Sequence, residues 1–252
     1  MPEHNIEIKN KLPAAQLSDF VESFWMIANH SETAHEIVIL PDGRFDIIFS
    51  YSLADPYHVT MIGLGTEPQK AIIPPKLVML AVSFKLLAIE YLLDVKVSSI
   101  LNDAQPLPTG FWGITQNDLD DFENFCSKLS ERMCELIKPN IDSRKQKLFE
   151  LIYSSKGSLS VKELSEKVFW SSRQINRYFN QQFGIPLKAF CNILRFRASL
   201  QHIKDGKLYP EQNFTDQNHF IKEVKKFSGV VPKELSQNHN DRFILLSALP
   251  EK

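Results

Sequence analysis

The sequence predicts an α+β chain of two domains, and three observations carry that expectation. Up to Pro108, short β-branched runs alternate with Gly and Pro turn signals. Beyond it, apolar residues recur every three and four positions, the spacing of amphipathic helices. The charge divides at nearly the same place. Residues 1–143 carry 10 Lys+Arg against 20 Asp+Glu, a balance of −10, and residues 144–252 carry 19 against 10, a balance of +9. An acidic strand-rich unit at 1–138, a linker at 139–143 and a basic helical unit at 144–252 follow from these breaks. A basic unit of this kind suits a polyanionic partner.

The chain begins with an expected short amphipathic helix over residues 17–28, from Leu17, Phe20, Val21, Phe24 and Trp25. Residues 37–40 are β-branched and apolar, Pro41-Asp42-Gly43 is a turn signal, and residues 44–51 read as a second strand. Phe45, Ile47, Phe49 and Tyr51 share one face of it, with Arg44, Asp46 and Ser50 on the other. Further strands are expected at 59–64, 70–73 and 77–84, which together suggest a small β-barrel or sandwich. Residues 117–137 form an amphipathic helix through Leu119, Phe122, Phe125, Cys126, Leu129, Met133 and Leu136, opened by a Thr115/Asp118 capping pair. Its apolar stripe is wide enough to serve a self-association surface. Lys138-Pro139-Asn140 ends it.

Residues 160–184 hold the most specific local signal. Ser160 with Glu163 has capping-box spacing, and a helix runs on over Val161, Leu164 and Val168. Phe169-Trp170-Ser171 breaks it, and Ser171 with Gln174 opens a second box. The next helix carries Ile175, Tyr178, Phe179 and Phe183 as one apolar stripe. Its other face bears Ser172, Arg173, Asn176, Arg177 and Asn180. Helix, tight turn and helix in this order form a helix-turn-helix. Arg can donate two parallel hydrogen bonds to guanine O6 and N7, and Asn can bond adenine N6 and N7 in the same bidentate way. On a lone helix these would be an ordinary solvated face. Two capping boxes and the positive balance favour a surface that enters the major groove of double-stranded DNA.

The segments GIPLKAFCNILRFRASLQHI (184–203) and NFTDQNHFIKEVKKFSGVVPKEL (213–235) resemble the DNA-binding domain of AraC/XylS-type bacterial transcriptional regulators. Phe214, Asp216, Gln217, His219, Phe220, Lys222, Lys225, Lys226, Phe227, Gly229 and Pro232 occupy the positions of that family's second-unit signature. The resemblance covers residues 143–240. It implies two helix-turn-helix units joined by a linker helix, with Gln217, Asn218, Lys222, Lys225 and Lys226 presented by the second recognition helix. The residues agree independently. Leu187, Phe190, Leu194 and Ala198 form one stripe of the linker helix and Ile193, Phe196, Leu200 and Ile203 another, so it is buried on two sides. One departure stands out. The family's second unit opens with a full helix, whereas here residues 204–213, with Pro210 among them, leave room only for a turn.

LSDFVESFW (17–25), ILPDGRFDIIFSY (39–51) and MIGLGTEP (61–68) resemble, more weakly, the domain that precedes such DNA-binding domains in one group of these regulators. That likeness implies a cupin-like β-barrel that senses a small-molecule effector or dimerises. A homodimer and contact with RNA polymerase are the further partners it implies.

Other chemistries find little support. Composition is that of a folded chain, with 43% hydrophobic and 23% charged residues. No apolar run reaches the ~18 residues of a membrane span, and the polar first residues predict no signal peptide, so a cytoplasmic setting is expected. Cys126, Cys134 and Cys191 form no CxxC pair. His30, His35 and His58 lack the spacing of a metal set, and Gly63-Leu64-Gly65 lacks a third glycine. No enzyme activity, cofactor or metal is expected. The alternative to a sequence-specific DNA-binding regulator is a ligand-binding cupin-like protein whose degenerate helix-turn-helix no longer reads DNA specifically.

Overall fold

The computed structural model of the chain describes residues 6–93, 95, 97–209, 214 and 216–249. Its first half contains strands β1 (Ile6–Lys11), β2 (Val21–Asn29), β3 (His35–Ile39), β4 (Phe45–Tyr51), β5 (His58–Ile62), β6 (Gln69–Ile73), β7 (Val78–Phe84) and β8 (Ala104–Leu107). Six of them form one antiparallel sheet in the order β1-β2-β7-β4-β5-β8, and β3 pairs with β6 in a separate two-stranded sheet. Of the small β-barrel or sandwich expected, the barrel is therefore corrected to an open sheet with a small second sheet beside it. Closure needs every strand paired on both sides. Among the described strands β1 and β8 end the large sheet, and β3 and β6 pair with each other and with no strand of that sheet.

The helix expected over residues 17–28 is also corrected. Only Ala15–Leu17 makes a single 3-10 turn, and Val21–Asn29 is strand β2. β2 lies between β1 and β7 and is covered on both faces. Phe24, Met26 and Ala28 enter the main core, while Ile27 and the half-buried Trp25 face Ile37 and Ile73 of the small sheet. A strand buried on both sides loses the two-residue alternation that would have revealed it.

The helices that follow are α1 (Phe122–Leu136), α2 (Ser143–Ser154), α3 (Val161–Val168), α4 (Ser172–Phe183), α5 (Leu187–Lys204), α6 (Gln217–Ser228), α7 (Pro232–Gln237) and α8 (Ile244–Ser247). Of these, α1 and α3 to α6 come in the expected order, whereas α2, α7 and α8 are not singled out by the sequence. α1 begins later than residue 117. The Thr115 N–H donates to the Asp118 carboxylate at 2.7 Å, but this closes a 3-10 turn over Gln116–Asp120. Asp121 is the residue that caps α1, accepting from the Glu123 and Asn124 amides. Phe122, Phe125, Cys126, Leu129 and Met133 of α1 are all buried within the chain, so its apolar stripe is used in folding and not left as an open face.

One continuous cluster of buried apolar side chains runs from Leu17 to Leu246, through the sheet and the helices alike. At its seam the Pro41-Asp42-Gly43 turn presses on the linker helix α5. Gly43 sits at φ +75°, and a Cβ there would lie 2.8 Å from Leu194 and 3.1 Å from Phe190. Beside it the buried Arg44 pairs with Glu22 at 2.9 Å and stacks over the Tyr153 ring of α2 at 4.6 Å. Arg197 of α5 reaches the same Glu22 at 2.8 Å. Burial opposes the charge on Glu22, but Arg44, Arg197 and Lys85 outweigh it and hold its carboxyl below the ordinary value. Farther along, the Val38 N–H donates to the Arg242 carbonyl at 2.6 Å, tying the last part of the chain to β3.

Candidate nucleic-acid interface

Helices α3 and α4 owe their existence to local sequence. At α3 the Ser160 hydroxyl accepts from the Glu163 amide at 3.2 Å, and the Glu163 carboxylate accepts from the Ser160 amide at 2.8 Å. At α4 the Ser171 hydroxyl accepts from the Gln174 amide at 3.3 Å, and the Gln174 side-chain oxygen accepts from the Ser171 amide at 3.1 Å. Both boxes are reciprocal, so two amide donors are satisfied at each start. Between the helices Phe169 takes the left-handed region at φ +52° and caps α3, while its side chain is 92% exposed. Gly usually occupies such a cap.

α4 buries Ile175, Tyr178, Phe179 and Phe183, as its spacing predicted. Arg173, Arg177 and Asn180 are exposed, and Ser172 and Asn176 are half-buried at the edge of the same face. Among the described residues neither arginine makes an ion pair, so both guanidinium groups are open to an incoming acceptor. The two asparagines fold back on their own helix. Asn176 donates to the Ser172 carbonyl at 3.1 Å and Asn180 to the Asn176 carbonyl at 2.9 Å. Reading a base edge requires each to change rotamer, and both stand where solvent allows it.

Helix α6 presents the second set. Asp216 caps it by accepting from the His219 amide at 2.8 Å, and Gly229, in the left-handed region, ends it. Phe220, Val224 and Phe227 are buried, with Phe227 packed on Phe196 of α5 at 5.3 Å. Gln217, Asn218, Lys222, Lys225 and Lys226 are exposed. Gln217 donates its side-chain amide to the Leu208 carbonyl at 2.7 Å. Lys226 sits 4.8 Å from the Phe227 ring centroid. No helix precedes α6 within residues 205–209, 214 and 216. Pro210 and the rest of that connection lie outside the described residues.

The linker helix α5 is apolar on two sides as expected, with Leu187, Phe190 and Leu194 on one and Ile193, Phe196, Leu200 and Ile203 on the other, all buried. Ala198 is the exception: it is exposed, so the first stripe ends at Leu194.

Sequence reasoning missed what holds α4 from behind. The Tyr178 hydroxyl donates to the Glu90 carboxylate, and the Lys145 ammonium of α2 pairs with the same group. Glu90 lies in the π-helical turn Ile89–Leu93 of the first half. Burial, and then Glu90, push the Tyr178 hydroxyl well above its ordinary value, so it stays a donor. A carboxylate alone in the apolar run LLAIEYLL (86–93) was the available signal.

A domain family described as a domain of unknown function, DUF6597, matches residues 9–106. No curated protein matches the chain. Among solved structures the chain is similar to ToxT from Vibrio cholerae O395, with 11% identity over 97% of this chain and 98% of that one at a TM-score of 0.44. It is also similar to ToxT from Vibrio cholerae in another crystal form, with 12% identity over 92% and 97% of the two chains at 0.42. A third is wild-type ToxT from Vibrio cholerae strain SCE256 bound to an unsaturated fatty acid, with 12% identity over 100% of each chain at 0.41.

Proposed function

We propose that the chain is a sequence-specific DNA-binding transcription regulator of AraC/XylS type that reads the major groove of double-stranded DNA. The observation that carries this reading is α4. It is a helix capped at both ends after a tight turn, with Arg173 and Arg177 exposed on the face opposite its buried stripe. The motif run over residues 184–235 and the exposed Lys222, Lys225 and Lys226 of α6 support it. Ser172, Arg173, Asn176, Arg177 and Asn180 contact bases or the adjacent backbone. Gln217 and Asn218 start the second helix near the groove, and its lysines meet phosphate.

In this reading residues 144–252 are the DNA-reading unit and residues 1–138 sense a small-molecule effector or hold a homodimer, in the cytoplasm. Because α1 spends its apolar stripe inside the chain, a dimer uses another surface. Contact with RNA polymerase belongs to the same reading. One observation favours a second reading, a ligand-binding protein with a degenerate helix-turn-helix: residues 205–209 hold no helix to support α6. Selection of bound sequences from a random duplex library decides between them. A recurring half-site pattern is expected. Recovery of unenriched sequence would leave only the second reading.

A further inference from the structure

We propose that Glu90 is a positioning residue through which the sheet-bearing half of the chain sets the position of recognition helix α4. The inference rests on the DNA-reading function proposed for that helix and concerns how it is controlled.

Glu90 receives two donors from two different helices of the other half, Tyr178 of α4 and Lys145 of α2. The side chains of Glu90 and Lys145 are only 20% and 19% exposed. Lys145 also lies 4.8 Å from the Tyr178 ring centroid and 5.9 Å from that of Tyr91. Tyr178 is at the middle of α4 and directly follows Arg177, so any rotation or slide that moves the phenol moves the guanidinium with it. The far end of α4 is held by the same half. That end of α4 packs beside the 3-10 turn Val97–Ile100, and at its capping residue Gly184, at φ +75°, even a Cβ would meet the backbone of Ser98 only at ordinary contact distance, 3.4 Å. α4 therefore has a polar anchor at its centre, from Glu90, and a packing neighbour at its end, the 3-10 turn Val97–Ile100.

An apolar contact would have joined the two halves without removing an ammonium and a carboxylate from water. Buried ion pairs add little net stability but fix direction, because each donor must meet its acceptor. Without the carboxylate, the Tyr178 hydroxyl and Lys145 lose their shared acceptor in a largely buried site, and α4 is free to shift. Base-edge hydrogen bonds depend on placement to a fraction of an ångström, whereas phosphate contacts with long cationic side chains tolerate it. Loss of Glu90 is thus read as reduced discrimination between sequences, with sequence-independent binding retained.

The test uses the full chain as wild type, Glu90→Gln, Tyr178→Phe and the double variant. Each is titrated at one salt concentration with a library-enriched duplex and a scrambled duplex. Amide exchange over residues 172–183 is followed in parallel. Each single variant is expected to lower the ratio of specific to non-specific affinity by about tenfold. Non-specific affinity should change by less than about twofold, and exchange in α4 should accelerate. The double variant is expected to lose less than the two singles combined, because both changes weaken contacts to the same Glu90 side chain: glutamine still offers the Tyr178 hydroxyl an acceptor but no charge to Lys145. A ratio within about twofold of wild type for both singles would overturn the proposal, as would singles that add in full. So would equal weakening on both duplexes. If Glu90→Gln does not fold, Tyr178→Phe, which keeps the ring, decides alone. If the wild type shows no preference between duplexes, the DNA-reading function has failed. The positioning role is then judged by exchange: acceleration confined to 172–183 supports it, and unchanged exchange overturns it.

Discussion

The two helices proposed to read DNA are built from the same materials and held in different ways. α4 and α6 have twelve residues each, buried aromatic stripes and polar outer faces. α4 starts from a reciprocal capping box, follows the complete helix α3, is held from behind by Glu90 and packs at its end beside the 3-10 turn Val97–Ile100. Among the described residues α6 starts from one side-chain cap, at Asp216, and packs against Phe214, against α5 through Phe196 and against α7. A helix fixed at its start, middle and end can place side chains against base edges. One with fewer fixed points is better suited to the longer reach of lysine toward phosphate. On the proposed DNA-reading function, the contrast would give sequence discrimination mainly to α4 and sequence-independent affinity mainly to α6.

The largest effect expected from this division is electrostatic. Changing Lys222, Lys225 and Lys226 together to alanine should lower affinity for every duplex by orders of magnitude at low salt. It should also flatten the dependence of log K on log salt by about 0.9 for each phosphate that is no longer neutralised. Titrations between roughly 50 and 200 mM salt measure both. A slope that stays at the wild-type value would remove α6 from the phosphate role.

Next in size is the loss of discrimination. Arg173→Ala with Asn176→Ala should cost about 1–3 kcal/mol for each bidentate pair on the preferred sequence and little on others. Arg177→Ala should act in the same way. The triple change Gln217→Ala, Asn218→Ala and Lys222→Ala should cost less of the specific-to-non-specific ratio and appear mainly as uniform weakening, as should Lys226→Ala. If the α6 triple loses the larger share of that ratio, the division between the helices is reversed.

A smaller effect separates the caps. Ser171→Ala removes one partner of a reciprocal box and should destabilise by about 1 kcal/mol, near the middle of the range for such caps. Asp216→Ala, which removes one acceptor, should cost no more. Denaturant midpoints of the two variants give the comparison, and a clearly larger cost at Asp216 would contradict it.

The smallest effect has the opposite sign. Phe169 holds a left-handed backbone with an almost fully exposed ring, so little packing goes with it. Phe169→Gly should relieve about 1–2 kcal/mol of strain and give back part of that in chain entropy, a net gain of about 0.5–1 kcal/mol. A drop in the unfolding midpoint would show that the exposed ring has a partner within the fold.

What could be read from the sequence follows the same contrast. Local signals were sufficient for α3 and α4, because Ser160 and Ser171 act within three residues of themselves and the stripes repeat at helical spacing, whereas α6 was reached through the family signature. They failed where tertiary contacts decide. Val21–Asn29 is a strand because β1 and β7 flank it and a second sheet covers it, which leaves no period to recognise. Whether the sheet closes depends on which strands pair, and nothing in the separate runs announced that β3 would leave the large sheet for β6. Asn176 and Asn180 were legible as candidate base readers, but their hydrogen bonds to their own helix were not. Glu90 acts across 88 residues of sequence, a separation no local pattern spans.

The central claim, that this chain tells one DNA sequence from another, is tested most directly by competition. The full wild-type chain is offered the library-enriched duplex against a scrambled duplex of equal length and composition, at about 150 mM salt. Specific readers bind their sites at least about 10³-fold more tightly than other DNA, and that ratio is the predicted result. Equal affinity for the two duplexes would contradict the account.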